Sequence, residues 1–277
     1  MSFRKKILSL VLLSAPYLSD INATSYTWNN AARGDWSITT NWTPNGTPNG
    51  PSDSATFTGI TSTKITQDIS PVVQLSTMTF SFTDGPNPTL LQANASNRIS
   101  LDTGISSSPA IVQVVSGKHS IEQTGGVGSL ETVLVSGTSP VQFLIASGAR
   151  LDITENVGTV TSNVPVSFSG PGTLGFLDTV ANLGKEVITL DSGINMSFAY
   201  TDPANPGILG LLCSDPISSV MVQSGTLTLT NSVATAVDQP FQIDTPIFTL
   251  QNGDVNLVNN GQVSGGVEIL SKVVFED

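Results

Sequence analysis

The sequence predicts an all-β fold built as a stack of repeats, a solenoid, and three observations carry that prediction. Its apolar residues are mostly Val, Ile and Leu, and only 11% of all residues are charged. Short segments alternate apolar and polar side chains, which places one set on one face of a strand. Gly (25) and Pro (16) are frequent enough to punctuate many short strands with turns. No comparable window carries the i, i+3, i+4, i+7 stripe of an amphipathic helix. Disorder is excluded on the same grounds, since disordered chains combine high charge with few β-branched residues.

Met1–Ala23 stands apart from the fold. It opens with Arg4, Lys5 and Lys6, continues with an apolar run from Ile7 to Ala15, and leaves through a polar stretch ending at Ala23. That is the layout of a secretory leader, with Ala23 as the last residue before cleavage. The apolar run is too short for a transmembrane helix, which needs about 20 residues, and no later run is longer. The mature chain is therefore expected to be exported, with no transmembrane helix. Loss of the leader leaves seven bases and 20 acids, a net charge of −13. So acidic a chain repels phosphate backbones, and nucleic acid is not an expected partner.

Residues 24–60 form the next segment, expected to be an N-terminal cap. All three tryptophans, Trp28, Trp36 and Trp42, lie here among turn-forming residues. Indoles this close together suit covering the open end of a β stack, because each buries a large area. The rival use is an aromatic platform for a sugar or peptide.

Residues 61–277 are expected to be the β-solenoid. Leu151-Asp152-Ile153-Thr154 alternates, as do the apolar series Val164, Val166, Phe168 and Ile194, Met196, Phe198. Leu227 and Leu229 alternate with Thr226, Thr228 and Thr230 in the same way. Ser-Gly pairs begin at Ser116, Ser136, Ser147, Ser169, Ser192, Ser224 and Ser264. Several of these separations are near multiples of about 10 residues, the length of a strand plus a tight turn, and two or three such units make one coil. A single coil buries too few side chains to offset the entropy of ordering it, so stability is expected to come from stacking.

Chemistry-bearing residues are few. His119 is the one histidine and sits in Ser-Gly-Lys-His-Ser, which reads as a solvated turn. Cys213 is the one cysteine, beside Leu211 and Leu212, and reads as a buried inert thiol. A hydrolase triad, a His/Cys metal cluster and a phosphate-cradling glycine loop all lack their residues in the sequence. Among the acids, Asp152 and Glu155 flank an expected strand end, while Asp202 and Asp215 fall in expected turns. Arg33-Gly34-Asp35 spells a tripeptide used in integrin adhesion, which needs an exposed mobile loop; here it runs straight into Trp36. No catalytic, cofactor-binding or metal-binding residue is assigned.

Tyr26-Thr27-Trp28, Gly34-Asp35-Trp36, Asn41-Trp42 and Pro51-Ser52-Asp53-Ser54-Ala55-Thr56-Phe57 together form a recognisable opening. It resembles the opening segment of autotransporter-associated β-strand repeat proteins, and Ser224-Gly225-Thr226-Leu227-Thr228-Leu229 resembles their strands. The resemblance implies a right-handed parallel β-helix exported by a Gram-negative bacterium, at the cell surface and outer membrane or released outside the cell. Members commonly serve as adhesins or surface structural elements; the leader layout, the acidic strand-rich repeats and the absent catalytic constellation set the expectation of a non-enzymatic role in adhesion or envelope structure, with host-cell or matrix components or surface polysaccharide as partners. Self-exporting members end in a membrane barrel with aromatic girdles; the residues before Asp277 do not have that pattern, so the expectation is a passenger-type β-helix without the barrel. The alternative function is a polysaccharide lyase or glycosidase on the same scaffold, which needs paired acids or acids with a base.

Overall fold

The computed structural model describes residues 23–30, 33–58, 64–81, 89–93, 97–123, 134–154, 164, 166–177, 180–182, 187–191, 194–199, 210–212, 219–222, 226–231, 241–244, 247–250, 254–259, 267–269 and 272–275. Side chains are described for 23–30, 33–58, 64–81, 97–122, 137–153, 164, 166–175, 194 and 196. The leader expected at Met1–Ala23 lies outside these residues except for Ala23. The described residues form strands and turns, with one short 3-10 turn at Thr39–Asn41 and no α-helix among them. The chain is all-β, as its composition and alternation predict.

Strands follow one another in a fixed order. The first set is β1 (Ser25–Trp28), β2 (Gly34–Asp35) and β3 (Trp42–Thr43). Three triplets follow: β4 (Ser54–Thr58), β5 (Lys64–Thr66) and β6 (Val72–Leu75); β7 (Thr77–Ser81), β8 (Thr89–Ala93) and β9 (Arg98–Leu101); β10 (Ala110–Ser116), β11 (Lys118–Gln123) and β12 (Leu134–Ser136). A pair, β13 (Val141–Ile145) and β14 (Arg150–Thr154), comes next. Triplets then resume with β15 (Val166–Ser169), β16 (Thr173–Leu177) and β17 (Val180–Asn182), and with β18 (Val187–Asp191), β19 (Asn195–Ala199) and β20 (Gly210–Leu212). The last are β21 (Ser219–Val222), β22 (Thr226–Asn231) and β23 (Phe241–Asp244); β24 (Ile247–Leu250), β25 (Asp254–Asn259) and β26 (Val267–Ile269); and finally β27 (Lys272–Phe275).

Each strand pairs with its counterpart in the sets before and after it. The first strands of successive sets make an eleven-stranded sheet, β27-β24-β21-β18-β15-β13-β10-β7-β4-β1-β3. The second strands make a nine-stranded sheet from β2 to β25. The third strands make two smaller sheets, β12-β9-β6 and β17-β20-β23-β26. All of these pairings are parallel except one: β3 runs antiparallel along the outer edge of β1, with Trp28 opposite Trp42. Parallel sheets ordinarily bury both faces and read as unbroken apolar runs. Here the strands alternate, because one face packs inward and the other meets solvent.

The inward residues stack in columns. Ala55, Met78, Val112, Phe143 and Phe168 are register partners down the first sheet, and all are buried. Trp28, Phe57, Phe80, Val114 and Ile145 form a second buried column beside them. In the second sheet Leu151, Leu174 and Met196 do the same. Each large apolar side chain removed from water contributes roughly 1.5–3 kcal/mol. Stacked strands thus share one continuous interior instead of building separate cores.

Three of the four described Ser-Gly pairs mark corners between the first and second sheets. Gly117, Gly148 and Gly170 sit between β10 and β11, β13 and β14, and β15 and β16, with φ of 83°, 73° and 99°. Ser192-Gly193 and Ser224-Gly225 fall at the same place in the sequence, between β18 and β19 and between β21 and β22. Ser136-Gly137 instead follows a third-sheet strand. The rhythm was uneven because sets differ in length: first-sheet strands begin 33 residues apart at Thr77 and Ala110, and 21 apart at Val166 and Val187. Gly148 faces open space, whereas a Cβ on Gly170 would run into the carbonyl oxygen of Ile145 in the preceding set. Gly148→Ala is therefore expected to cost about 1–2 kcal/mol, the ordinary left-handed penalty. Gly170→Ala should cost clearly more; urea unfolding midpoints of the two variants check this ordering.

Candidate functional site

The tryptophans face inward and do not form a platform. Trp28, Trp36 and Trp42 are all buried, and their rings meet edge to face, with centroids 4.9 Å apart for Trp28–Trp42 and 4.8 Å for Trp36–Trp42. Each indole N–H donates to a backbone carbonyl: Trp28 to Asn30 (2.7 Å), Trp36 to Pro48 (3.0 Å) and Trp42 to Trp36 (2.9 Å). Phe57 and Phe80 carry the aromatic packing onward, stacked at 5.1 Å. These indoles spend both their apolar area and their polar handle inside the protein.

Gly34–Asp35 forms β2, paired in parallel with Ile65–Thr66 of β5. Any side chain at Gly34 would meet the Asn41 amide at 2.6 Å, and the Asp35 carbonyl accepts from that same amide at 3.0 Å. Arg33 and Asp35 are exposed, yet Gly34 and Asp35 belong to a paired strand and not to a loop.

His119 differs from its expected place in a solvated turn. It lies in β11, 1% exposed, in register with Leu151 of the apolar column, and its ring centroid is 5.1 Å from that of Phe80. Its Nε2 is 2.8 Å from the Ser116 carbonyl oxygen. Burial holds its pKa below the usual imidazole value, against the opposing effect of the Ser116 hydrogen bond. The alternation Lys118-His119-Ser120-Ile121 signals this placement, because Ile121 is buried and His119 shares its face.

Asp102, itself buried, is the centre of a polar cluster. Its Oδ1 accepts from the Gly104 N–H (2.9 Å), the Ser139 hydroxyl (2.8 Å) and the Thr138 hydroxyl (3.2 Å), and its Oδ2 accepts from Gln74 Nε2 (3.1 Å). Burial pushes its pKa up, but the hydrogen bonds from Gly104, Ser139 and Thr138 outweigh that and hold it below the usual carboxylate value. The cluster ties together residues following β9, residues following β12 and β6 itself. Asp53 plays a similar part before β4: its carboxylate accepts from Thr24 and Asn49 N–H groups, and its carbonyl accepts from Ser76. Asp152 is engaged by Arg150, whose Nη2 lies 2.7 Å from Oδ1 and whose Nε bonds both oxygens. Cys213, Glu155, Asp202 and Asp215 lie outside the described residues. No group of three or more His, Cys, Asp and Glu residues suited to a metal ion occurs among the described residues.

The outward faces differ sharply in charge. On the first sheet, Thr27, Thr56, Thr79, Gln113, Leu144 and Ser169 form one register row from β1 to β15. Ser25, Ser54, Thr77, Ile111, Gln142 and Ser167 form the row beside it. None of these twelve is charged or buried. The outward positions of the second sheet include Asp35, Lys64, Lys118, Glu122, Arg150 and Asp152, and β9 of the third face presents Arg98. Comparison of the chain with protein families, curated proteins and solved structures finds no match.

A lowered histidine pKa has a definite sign. The unfolded chain takes up the His119 proton near pH 6.5 and the folded chain resists it. Stability from this residue is therefore complete above about pH 6.5 and declines as the pH falls below it. His119→Leu, which matches the column neighbours, should flatten the fall in urea midpoint between pH 7.5 and 5. Asp102, with a lowered carboxylate pKa, acts separately, losing its contribution only as the pH drops through the acid range below about 4.

Proposed function

We propose that this chain is an exported, right-handed parallel β-helix that acts without catalysis in adhesion or cell-envelope structure, at the surface of a Gram-negative cell or outside it. The observation that carries the reading is the in-register parallel repeat, in which each set of strands pairs onto the previous one along two or three faces. A chain that turns through first, second and third strands before pairing with its own start builds a coil, and parallel crossovers take the right-handed sense. The tryptophan-rich opening closes the N-terminal end, with β3 covering the edge of β1. That arrangement suits the resemblance of Tyr26–Phe57 to the opening of autotransporter-associated repeat proteins. Edge strands left bare invite uncontrolled pairing, and β3, the edge strand beyond β1, is only two residues long and offers little backbone to pair.

Export rests on the leader layout of Met1–Ala23. The non-catalytic reading draws support from how three of the described acids are used. Asp53 and Asp102 hold neighbouring sets together, and Asp152 is paired with Arg150, so each already has a role in the stack. Partners in this reading are host-cell or matrix components or surface polysaccharide. The test is retention of the purified chain on host cells and extracellular matrix, run beside a panel of polysaccharides assayed for released ends. Retention without turnover is the expected result. Absence of retention combined with turnover would assign the chain to the lyase or glycosidase class instead.

A further inference from the structure

The outward face of the first sheet between β1 and β15 is unlike the rest of the described surface. Its two rows present hydroxyls at Ser25, Thr27, Ser54, Thr56, Thr77 and Thr79, amides at Gln113 and Gln142, and aliphatic groups at Ile111 and Leu144. The chain carries a formal net charge of −11, and yet these six strands display no acid and no base. The charge-free stretch ends in β18, where the register brings Asp191 beside Ser169.

We infer that this face is a binding surface for a neutral polysaccharide laid along the stacking direction. The inference rests on the proposed non-catalytic surface role and names the partner for it. Charge decides against the other classes. An anionic polymer finds no base here and meets an acidic protein around it, and a cationic ligand finds no carboxylate. A second copy is poorly served by area: six strands about 4.8 Å apart and about 15 Å wide offer on the order of 400 Å². That is about half of the 800 Å² per partner that stable interfaces bury. The face is also polar, so apolar burial cannot make up the shortfall.

A neutral glycan matches what remains. Its hydroxyls both donate and accept, as do Ser, Thr and Gln side chains. Its C–H faces suit Ile111 and Leu144, which lie opposite Gln142 and Gln113 across adjacent strands and so diagonal to each other. Strand spacing repeats these groups about every 4.8 Å, so an extended polymer meets the same chemistry at every strand. Individual contacts of this kind are weak, and repetition along one chain raises the effective concentration for each subsequent contact. Rigid paired strands hold the rows in place, which spares the ordering cost a loop would incur.

The experiment uses the full purified chain and insoluble cellulose, a β-1,3-glucan and mannan as neutral probes, with polygalacturonate as the anionic comparison. Retention on at least one neutral probe, none on polygalacturonate and no release of sugar ends is expected. Thr56→Glu/Gln113→Glu places charge at two non-adjacent strands of the first sheet and should lower neutral retention at least tenfold. Thr66→Glu/Thr173→Glu adds the same charge to the second sheet and should leave it unchanged. Thr79→Val, which keeps shape and removes one hydroxyl, gives a smaller loss and guards against misfolding of the charged variants, whose urea midpoints are measured alongside. No neutral retention, or equal losses in the two double variants, overturns the inference. If cells or matrix still retain the chain in that case, the adhesion reading stands and only this partner falls. Released sugar ends overturn both.

Discussion

In-register parallel pairing is the constraint on which the rest of this structure depends. Once a strand lies parallel to its predecessor without a shift, each inward residue packs against the residue at the same position in the sets before and after. A large side chain then needs a compatible neighbour at the same register, which explains why Phe57 stacks on Phe80 and Phe143 on Phe168 at 5.0–5.1 Å. It also explains a glycine corner. Sets can lie at strand spacing only if the turns between sheets lie that close as well, and at Gly170 the approach to Ile145 leaves no room for a Cβ.

The same constraint governs the buried polar groups. A turn held between two other turns is shielded from water, so its polar atoms must find partners within the protein. Gln67, fully buried between β5 and β6, bonds the carbonyls of Ile69 and Arg98 and the N–H of Ile69. Asp102 does this across three sets, and Asp53 does it at the N-terminal end. These carboxylates bind adjacent turns, Asp102 buried and Asp53 partly exposed. His119 is the exception in kind: an ionisable ring placed in an apolar column, where one hydrogen bond to Ser116 offsets only part of the cost of burial.

Much of this was legible in the chain. Period-two alternation at Leu151–Ile153 and Val166–Phe168 marked strands with one buried face, and both pairs of residues are buried. The clustering of Trp28, Trp36 and Trp42 pointed to indoles covering apolar surface, and all three are buried. Ser-Gly pairs pointed to corners, and three of them carry the left-handed glycines of one corner type. His119 departs from a solvated turn because the alternation through Lys118–Ile121 resumes directly after the Ser116-Gly117 turn signal and sets the ring on the buried face. The Asp102 cluster was not legible at all. Gln74, Asp102 and Ser139 are 28 and 37 residues apart, and no local pattern links residues whose proximity depends on the length of an intervening set.

By itself the sequence determined the all-β class, the acidity of the chain and the alternation that assigns each strand an inner and an outer face. These are local properties, set by neighbours along the backbone. The tertiary structure decided which strands are neighbours, and with that which residues share a column, a corner or a surface row. The charge-free rows of the first sheet show the difference. Each strand declares its own outward Ser, Thr or Gln, but only the register between sets reveals that six of them align without a single charge.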